Sequence, residues 1–239
     1  MLIKREGLQQ VVKKPSLCSG DAISYHLIRL QSFALPKWSN VLYLPVMFSS
    51  FANYLQSKIA IDDAQLHSVR QMVTEMRARK GDILLQANDI CPYISFVVKG
   101  CLRSFVVDAK GREHVIQFAP ENWWISEQIS LLNQEPSMFN IDAVEDTEYL
   151  ALPGNIFEEL GQLVPGSLAF TNRLQLNSLR SLQKRLVSHL SETGEQRYTM
   201  FVKTYPQLAL RLPQKMIASY LGITPESLSR IRKFLIPNS

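Results

Sequence analysis

Gln214–Lys233 reads QKMIASYLGITPESLSRIRK, and its punctuation sets the organisation of the whole chain. Gln214 to Leu221 has the pattern of a short helix. Gly222 stands where a tight helix-to-helix turn needs a positive φ, which strains any residue carrying a Cβ but not glycine. Thr224 offers a side-chain oxygen as the N-cap of a second helix. Pro225 falls at that helix's first position, where a missing N–H does no harm. Ala218, four residues before Gly222, leaves room for two helices to cross closely, and Ile217, Leu221, Ile223, Leu228 and Ile231 supply the apolar wedge between them. The stretch predicts a helix–turn–helix.

The second helix has two faces. Leu228, Ile231 and Leu235 recur at i, i+3 and i+7, while Glu226, Ser229, Arg230 and Lys233 form a separate polar stripe. A recognition helix in the major groove needs this division, with its N-terminal residues at the base edges. Arginine can donate bidentately to guanine, glutamate can accept from the cytosine amino group, and serine can serve either base. Glu226, Ser229 and Arg230 are therefore the candidate base readers. Lys215, Thr224, Ser227, Arg232 and Lys233 are the candidate phosphate contacts. An ordinary amphipathic hairpin with a solvated face would explain any one of these positions. Small, glycine and apolar residues all at helix–turn–helix offsets favour DNA.

Leu212–Leu235, LPQKMIASYLGITPESLSRIRKFL, resembles the DNA-binding motif of the Crp/Fnr family of bacterial transcription regulators. Glu226-x-x-Ser229-Arg230 is similar to the base-reading triplet of the family's fumarate–nitrate branch. The resemblance is close over this motif and loose from about Met47 onward. It implies that Glu226 and Arg230 read a G·C pair or neighbouring pairs, with Ser229 tuning the adjacent base. It also implies a homodimer on a palindromic site and RNA polymerase as a partner. The family usually adds a two-stranded wing after the recognition helix, whereas this sequence runs six residues past Lys233. Weaker phosphate contact, or a domain complete without a wing, is expected.

Charge is unevenly spread. Residues 166–239 carry 11 Lys/Arg against 3 Asp/Glu, residues 47–165 carry 9 against 16, and residues 1–46 carry 6 against 2, within a net charge of +5. A basic C-terminal third that also holds the helix–turn–helix is the electrostatic footprint of a phosphate-binding module. The acidic middle would be repelled by DNA and is expected to do something else. At 46% hydrophobic and 20% charged residues, the composition is that of an ordinary globular protein. The longest apolar run, near Val41–Phe51, is broken by Pro45 and serines and is too short to span a bilayer. The basic–apolar–small pattern of a signal peptide is not seen at the start of this sequence. Cys18, Cys91 and Cys101 show no CxxC spacing and suit reduced thiols in the cytoplasm.

Four segments follow. Met1–Val46 lacks domain-like periodicity and is expected to be a poorly ordered extension, read as a start codon assigned upstream of Met47. From 47 to 165, Asp62 opens a helical pattern through Leu66, Val69, Met72, Val73 and Met76. Short β-like runs then recur at residues 83–86, 93–100, 101–108, 112–119, 139–145 and 147–153, with Asp108–Gly111 as a hairpin turn. This spacing argues for an antiparallel sandwich or barrel, which the resemblance makes a cyclic-nucleotide-binding jelly roll. Residues 166–192 form a long leucine-bearing helix, read as a dimerisation helix that also packs on its own domain. Residues 193–239 are the DNA-binding domain, entered through a helix at Glu195–Tyr205. The expected fold class is α+β.

The sensor chemistry is incomplete. Family members that bind cyclic AMP use Gly-Glu followed by an Arg-Ser/Thr-Ala, the glutamate on the ribose hydroxyl and the arginine on the phosphate. In the matching stretch, Trp123–Leu150, Ser126-Glu127 replaces Gly-Glu and the arginine position falls at Ser137. No Arg or Lys lies between Glu127 and Leu150. A phosphate buried without a cation is expensive, so cyclic AMP binding in the family's usual way is not expected. Three readings remain: an uncharged or apolar ligand walled by Trp123 and Trp124, a ligand-free dimerisation scaffold, or a nucleotide in a rearranged pocket. Trp124, Ser126, Glu127 and Ser137 are the candidate effector-pocket residues. His26, His67, His114 and His189 are scattered and the cysteines unclustered, so no metal, haem or other cofactor is expected.

The expected function is a sequence-specific DNA-binding regulator acting as a homodimer. The alternative is an effector-binding module with weak or vestigial DNA binding, which a shallow salt dependence would favour. No Ser/His/Asp set, phosphate loop or metal spacing points to an enzyme.

Overall fold

The computed structural model describes residues 46–235. The expected extension, apart from Val46 at its end, lies outside the described residues, and Cys18 with it. The jelly-roll region starts with α1 (Val46–Gln56) and α2 (Asp63–Met72). α2 opens with a capping box, in which Asp62 Oδ1 accepts from Gln65 N at 2.8 Å and Gln65 Oε1 accepts from Asp62 N at 3.0 Å. Met76, which fits the helical period of α2, instead lies in β1 (Thr74–Ala78). The helix stops at Met72, and the β-branched Val73 and Thr74 carry the chain into that strand, which pairs with residues 147–151.

Seven more strands follow: β2 (Ile83–Leu85), β3 (Ile94–Lys99), β4 (Leu102–Val107), β5 (Glu113–Ala119), β6 (Trp124–Ile125), β7 (Asn140–Ala143) and β8 (Thr147–Leu152). They form two antiparallel four-stranded sheets, ordered β1-β8-β3-β6 and β2-β7-β4-β5. The short helix α3 (Gln128–Asn133) lies between β6 and β7, and α4 (Ile156–Leu163) follows β8. β3 and β4 are covered on both faces: Ile94–Val97 and Leu102–Phe105 are all buried, with Ser95, Arg103 and Ser104 among them. The main core continues from the strands onto α1. There Phe51, Tyr54, Phe96 and Trp124 meet at centroid distances from 4.8 to 6.5 Å, each buried ring contributing about 1.5–3 kcal/mol. Between β3 and β4, Gly100 has φ +96°, and a Cβ there would lie 2.6 Å from Asp146 O and from Thr147 Oγ1. Only glycine fits that turn.

α5 (Ser167–Ser191) matches the long helix read from the leucines. Its first two turns are anchored by buried Phe170 and by Ser167 Oγ, which donates to Leu160 O at 2.9 Å. Beyond them Leu176, Leu179, Leu182, Leu186 and Leu190 are exposed. Four helices follow: α6 (Gly194–Thr204), α7 (Pro206–Arg211), α8 (Gln214–Leu221) and α9 (Pro225–Leu235). α7 carried no sequence signal of its own beyond Pro206 at its first position.

The helix–turn–helix region shares a core with the jelly roll. The second core runs from Phe201, Leu208, Leu212, Ile217, Ala218, Leu221 and Leu228 straight onto Cys101, Val115, Phe118 and Val144 of the jelly roll. No helix among the described residues is long and apolar enough to cross a membrane.

Candidate nucleic-acid interface

The helix–turn–helix forms as its punctuation demands. Gly222 has φ +65°, and its N–H and that of Ile223 close back on Ala218 O. A Cβ on Gly222 would come within 3.1 Å of the His189 ring. Thr224 Oγ1 accepts from Ser227 N at 3.2 Å, capping α9, with Pro225 as its first residue. Ala218 is fully buried at the crossing, as is Leu228. The apolar stripe of α9 is shorter than its period suggests: Ile231 is half-buried, but Leu235 is exposed. The covering helices end before the last turn of α9.

On the opposite face Glu226, Arg230 and Lys233 are exposed and Ser229 is half-buried. Arg230 Nη2 donates to Ser227 Oγ at 3.3 Å, which orients the guanidinium along the helix's outer face. The Glu226 carboxyl is held below the usual carboxylate range by its own backbone N–H, by the Thr224 hydroxyl and by the nearby Arg230 charge. It is ionised at neutral pH, the acceptor-only form that a base amino group requires. Among the candidate phosphate residues, Lys215, Thr224 and Lys233 are exposed, and Ser227 and Arg232 are half-buried.

The geometry that fixes this domain was not visible in the sequence. β5 is the edge strand of its sheet, with a bulge near Ile116. Its open backbone groups are met by side chains from beyond the jelly roll. Ser219 Oγ donates to Glu113 O at 2.7 Å and accepts from Val115 N at 3.0 Å. Arg185 donates to Ile116 O and, at 3.2 Å, to Val115 O, and its guanidinium lies 4.5 Å from the Tyr220 ring centroid. Arg211 pairs with Glu121 at 2.8 Å and with Glu145. The opposite charges of the middle and the C-terminal third therefore complement each other inside one molecule. That asymmetry was the only sequence signal for this contact.

The candidate effector residues separate into two pairs. Trp124 and Ser126 line a cavity of about 810 Å³, together with Trp123. Glu127 and Ser137 do not line it. Glu127 caps α3 instead, accepting from Ser130 N at 2.6 Å and Ile129 N at 3.3 Å. Ser137 is 2% exposed and closes on Phe139, donating to its carbonyl at 2.9 Å and accepting from its N–H at 3.0 Å. The two residues that would meet a ribose and a cyclic phosphate are thus spent on the protein's own backbone. These residues do not fit a cyclic nucleotide held in the usual way. Among the described residues, no group of three or more His, Cys, Asp or Glu could hold a metal ion.

Comparison with known proteins agrees with this architecture. Residues 75–162 match the family described as the cyclic nucleotide-binding domain. The chain is 25% identical over 166 residues to the transcriptional activator protein FnrA of Stutzerimonas stutzeri, covering 64% of this chain and 66% of that one. It is 20% identical over 183 residues to the fumarate and nitrate reduction regulatory protein of Vibrio cholerae, covering 72% of each. The chain thus spans just under two thirds of the length of FnrA. Among solved structures, FixK2 from Bradyrhizobium japonicum superposes with a TM-score of 0.59 at 20% identity, covering 68% of this chain and 84% of that one. A putative transcriptional regulator of the Crp/Fnr family from Eubacterium rectale superposes with a TM-score of 0.57 at 18% identity, covering 77% of this chain and 87% of that one. With a jelly roll, a long helix and a C-terminal helix–turn–helix in that order, the chain is similar in fold to that regulator.

Proposed function

We propose that this chain is a sequence-specific DNA-binding transcription regulator that acts as a homodimer on a two-fold symmetric site, without control by cyclic AMP. The observation that carries the reading is α9, with Leu228 fully buried and Glu226, Arg230 and Lys233 presented outward from a rigidly capped helix. A helix so placed can enter the major groove with an acceptor and a bidentate donor at its leading end. The exposed leucines of α5 support the dimer, because an apolar stripe of this length on a helix is costly to leave in water. Two recognition helices would then reach successive major grooves about 34 Å apart. RNA polymerase is the partner such a regulator works through, and the cytoplasm is where it would meet both. The relatives' names, a transcriptional activator and a regulatory protein, agree with this role and with a chain that is not an enzyme.

Selection from a random duplex library, with and without cyclic AMP, tests the reading. A symmetric site recovered equally in both conditions is expected. Enrichment only with cyclic AMP would overturn the loss of nucleotide control, and no enrichment at all would favour a regulatory module with vestigial DNA binding. On the selected site, Arg230→Ala is expected to cost about 1–3 kcal/mol and to relax preference at one or two base pairs. Lys233→Ala should instead weaken all sequences alike and reduce the salt slope by about one. Indistinguishable binding profiles for the two variants would show that the division between base and phosphate contacts is drawn wrongly.

A further inference from the structure

The cavity of about 810 Å³ runs past Trp124 and Ser126 into the seam where β5, α5 and the helix–turn–helix domain meet. Its size is that of a small-molecule site. Three parts of the chain wall the seam: Gln117 of β5, Ser181 and Arg185 of α5, and Tyr205 and Tyr220 beyond α5, with Trp123 beside them. Ring faces and edges dominate. Trp123 meets Tyr205 edge-on at 5.8 Å, and Tyr220 lies 5.3 Å from Phe118. The Tyr205 hydroxyl is hydrogen-bonded to Ser181 and Tyr220, and burial pushes its pKa up to about 12, so it stays a neutral phenol.

The charge of the lining decides the ligand class. Among the described lining residues Arg185 alone is charged, and its guanidinium is already committed to Ile116 O, Val115 O and the face of Tyr220. An anion would find no free cation here and a cation no carboxylate, and burying either unpaired is expensive. Neutral donors and acceptors are plentiful, among them Asn122, Gln175 and Ser178.

We propose that the seam is a binding site for an uncharged small molecule built on a flat ring system with hydroxyl or carbonyl groups, and that this molecule touches the sensor sheet and the DNA-binding domain at once. The site gives the regulator reading its effector chemistry and rests on that reading for its biological consequence. A molecule that wets both walls favours the docked pose held by Ser219, Arg185 and Arg211, because binding to one arrangement shifts the population toward it.

Calorimetric titration of the full chain tests the site, with 2-naphthol as an uncharged bicyclic probe and naphthalene-2-sulfonate as its charged counterpart. Saturable 2-naphthol binding is expected, with markedly weaker binding of the sulfonate. Ser178→Trp places a ring in the cavity from an exposed position on α5 and should abolish the binding, with a thermal melt and sedimentation velocity checking that the fold and the dimer persist. No saturable 2-naphthol binding, equal or tighter binding of the sulfonate, or unchanged binding by Ser178→Trp would each overturn the proposal. DNA selection on the same preparations separates the two readings. An enriched site without naphthol binding removes this ligand site alone, and naphthol binding without an enriched site removes the DNA-binding reading alone.

Discussion

Arg103→Ala is expected to lower the unfolding free energy by about 3–5 kcal/mol. Arg103 sits on β4 with only 4% of its side chain exposed. Its Nε and Nη2 donate to Asp142 Oδ1 and Oδ2, both at 2.8 Å, and Nη1 donates to Glu113 Oε2 at 2.7 Å. The guanidinium also lies 4.2 Å from the Phe105 ring centroid. Burial opposes its charge, yet the two carboxylates more than offset this and leave the group more basic than usual. Truncation removes the cation and leaves Asp142, 9% exposed, as a desolvated carboxylate without its partner. That uncompensated charge, more than the lost attraction, sets the size of the effect. A chain of this length should lose roughly 10 °C in Tm. The double variant Arg103→Met with Asp142→Leu should recover most of the loss, because an apolar pair of similar volume leaves nothing charged behind. Urea denaturation of the two proteins decides the matter. A loss below about 1 kcal/mol for the single variant would mean that water reaches Asp142 and that the pair is a surface contact in effect. Glu113 adds a second consequence, since its carboxylate holds Arg103 while its carbonyl accepts from Ser219. The same variant should loosen the helix–turn–helix domain on β5, seen as faster hydrogen exchange in α8.

Leu228→Ala is expected to cost about 2–5 kcal/mol and to abolish DNA binding for every sequence together. Leu228 is fully buried among Phe201, Leu208, Ile217 and Leu221, so the variant leaves a cavity where α8 and α9 cross. None of the proposed base-reading side chains is touched. The loss arises because α9 is no longer held at a fixed angle to α8, and positioning rather than chemistry fails. Comparison with Arg230→Ala isolates the cause: that exposed residue should change base preference with the melting curve unmoved. If Leu228→Ala lowered affinity while leaving both stability and exchange in α8 and α9 unchanged, Leu228 would be making a contact to DNA, against its burial.

Much of the molecule was legible from local rules. Gly222, Thr224 and Pro225 dictate their own backbone states, so the helix–turn–helix could be placed to the residue. Six of the eight described strands follow from apolar runs between turn residues. β1 and the two-residue β6 did not, because β1 begins inside a helical period and β6 is too short to show any period. In the candidate effector pocket, the absence of Arg and Lys between Glu127 and Leu150 is a property of the sequence. That Glu127 faces the first turn of α3 and Ser137 faces Phe139 is not.

By itself the sequence determined the order of elements, the two faces of α9 and the acidic and basic segments, since each depends on residues within a few positions of one another. Only the tertiary structure decided where the segments meet. Ser219 bonds the backbone of a strand 104 and 106 positions earlier, and Arg211 finds carboxylates 90 and 66 positions earlier. No periodicity encodes such a pairing. It arises because the edge of β5 has backbone groups to satisfy and its outer face has apolar side chains to cover, and the helix–turn–helix domain supplies partners for both.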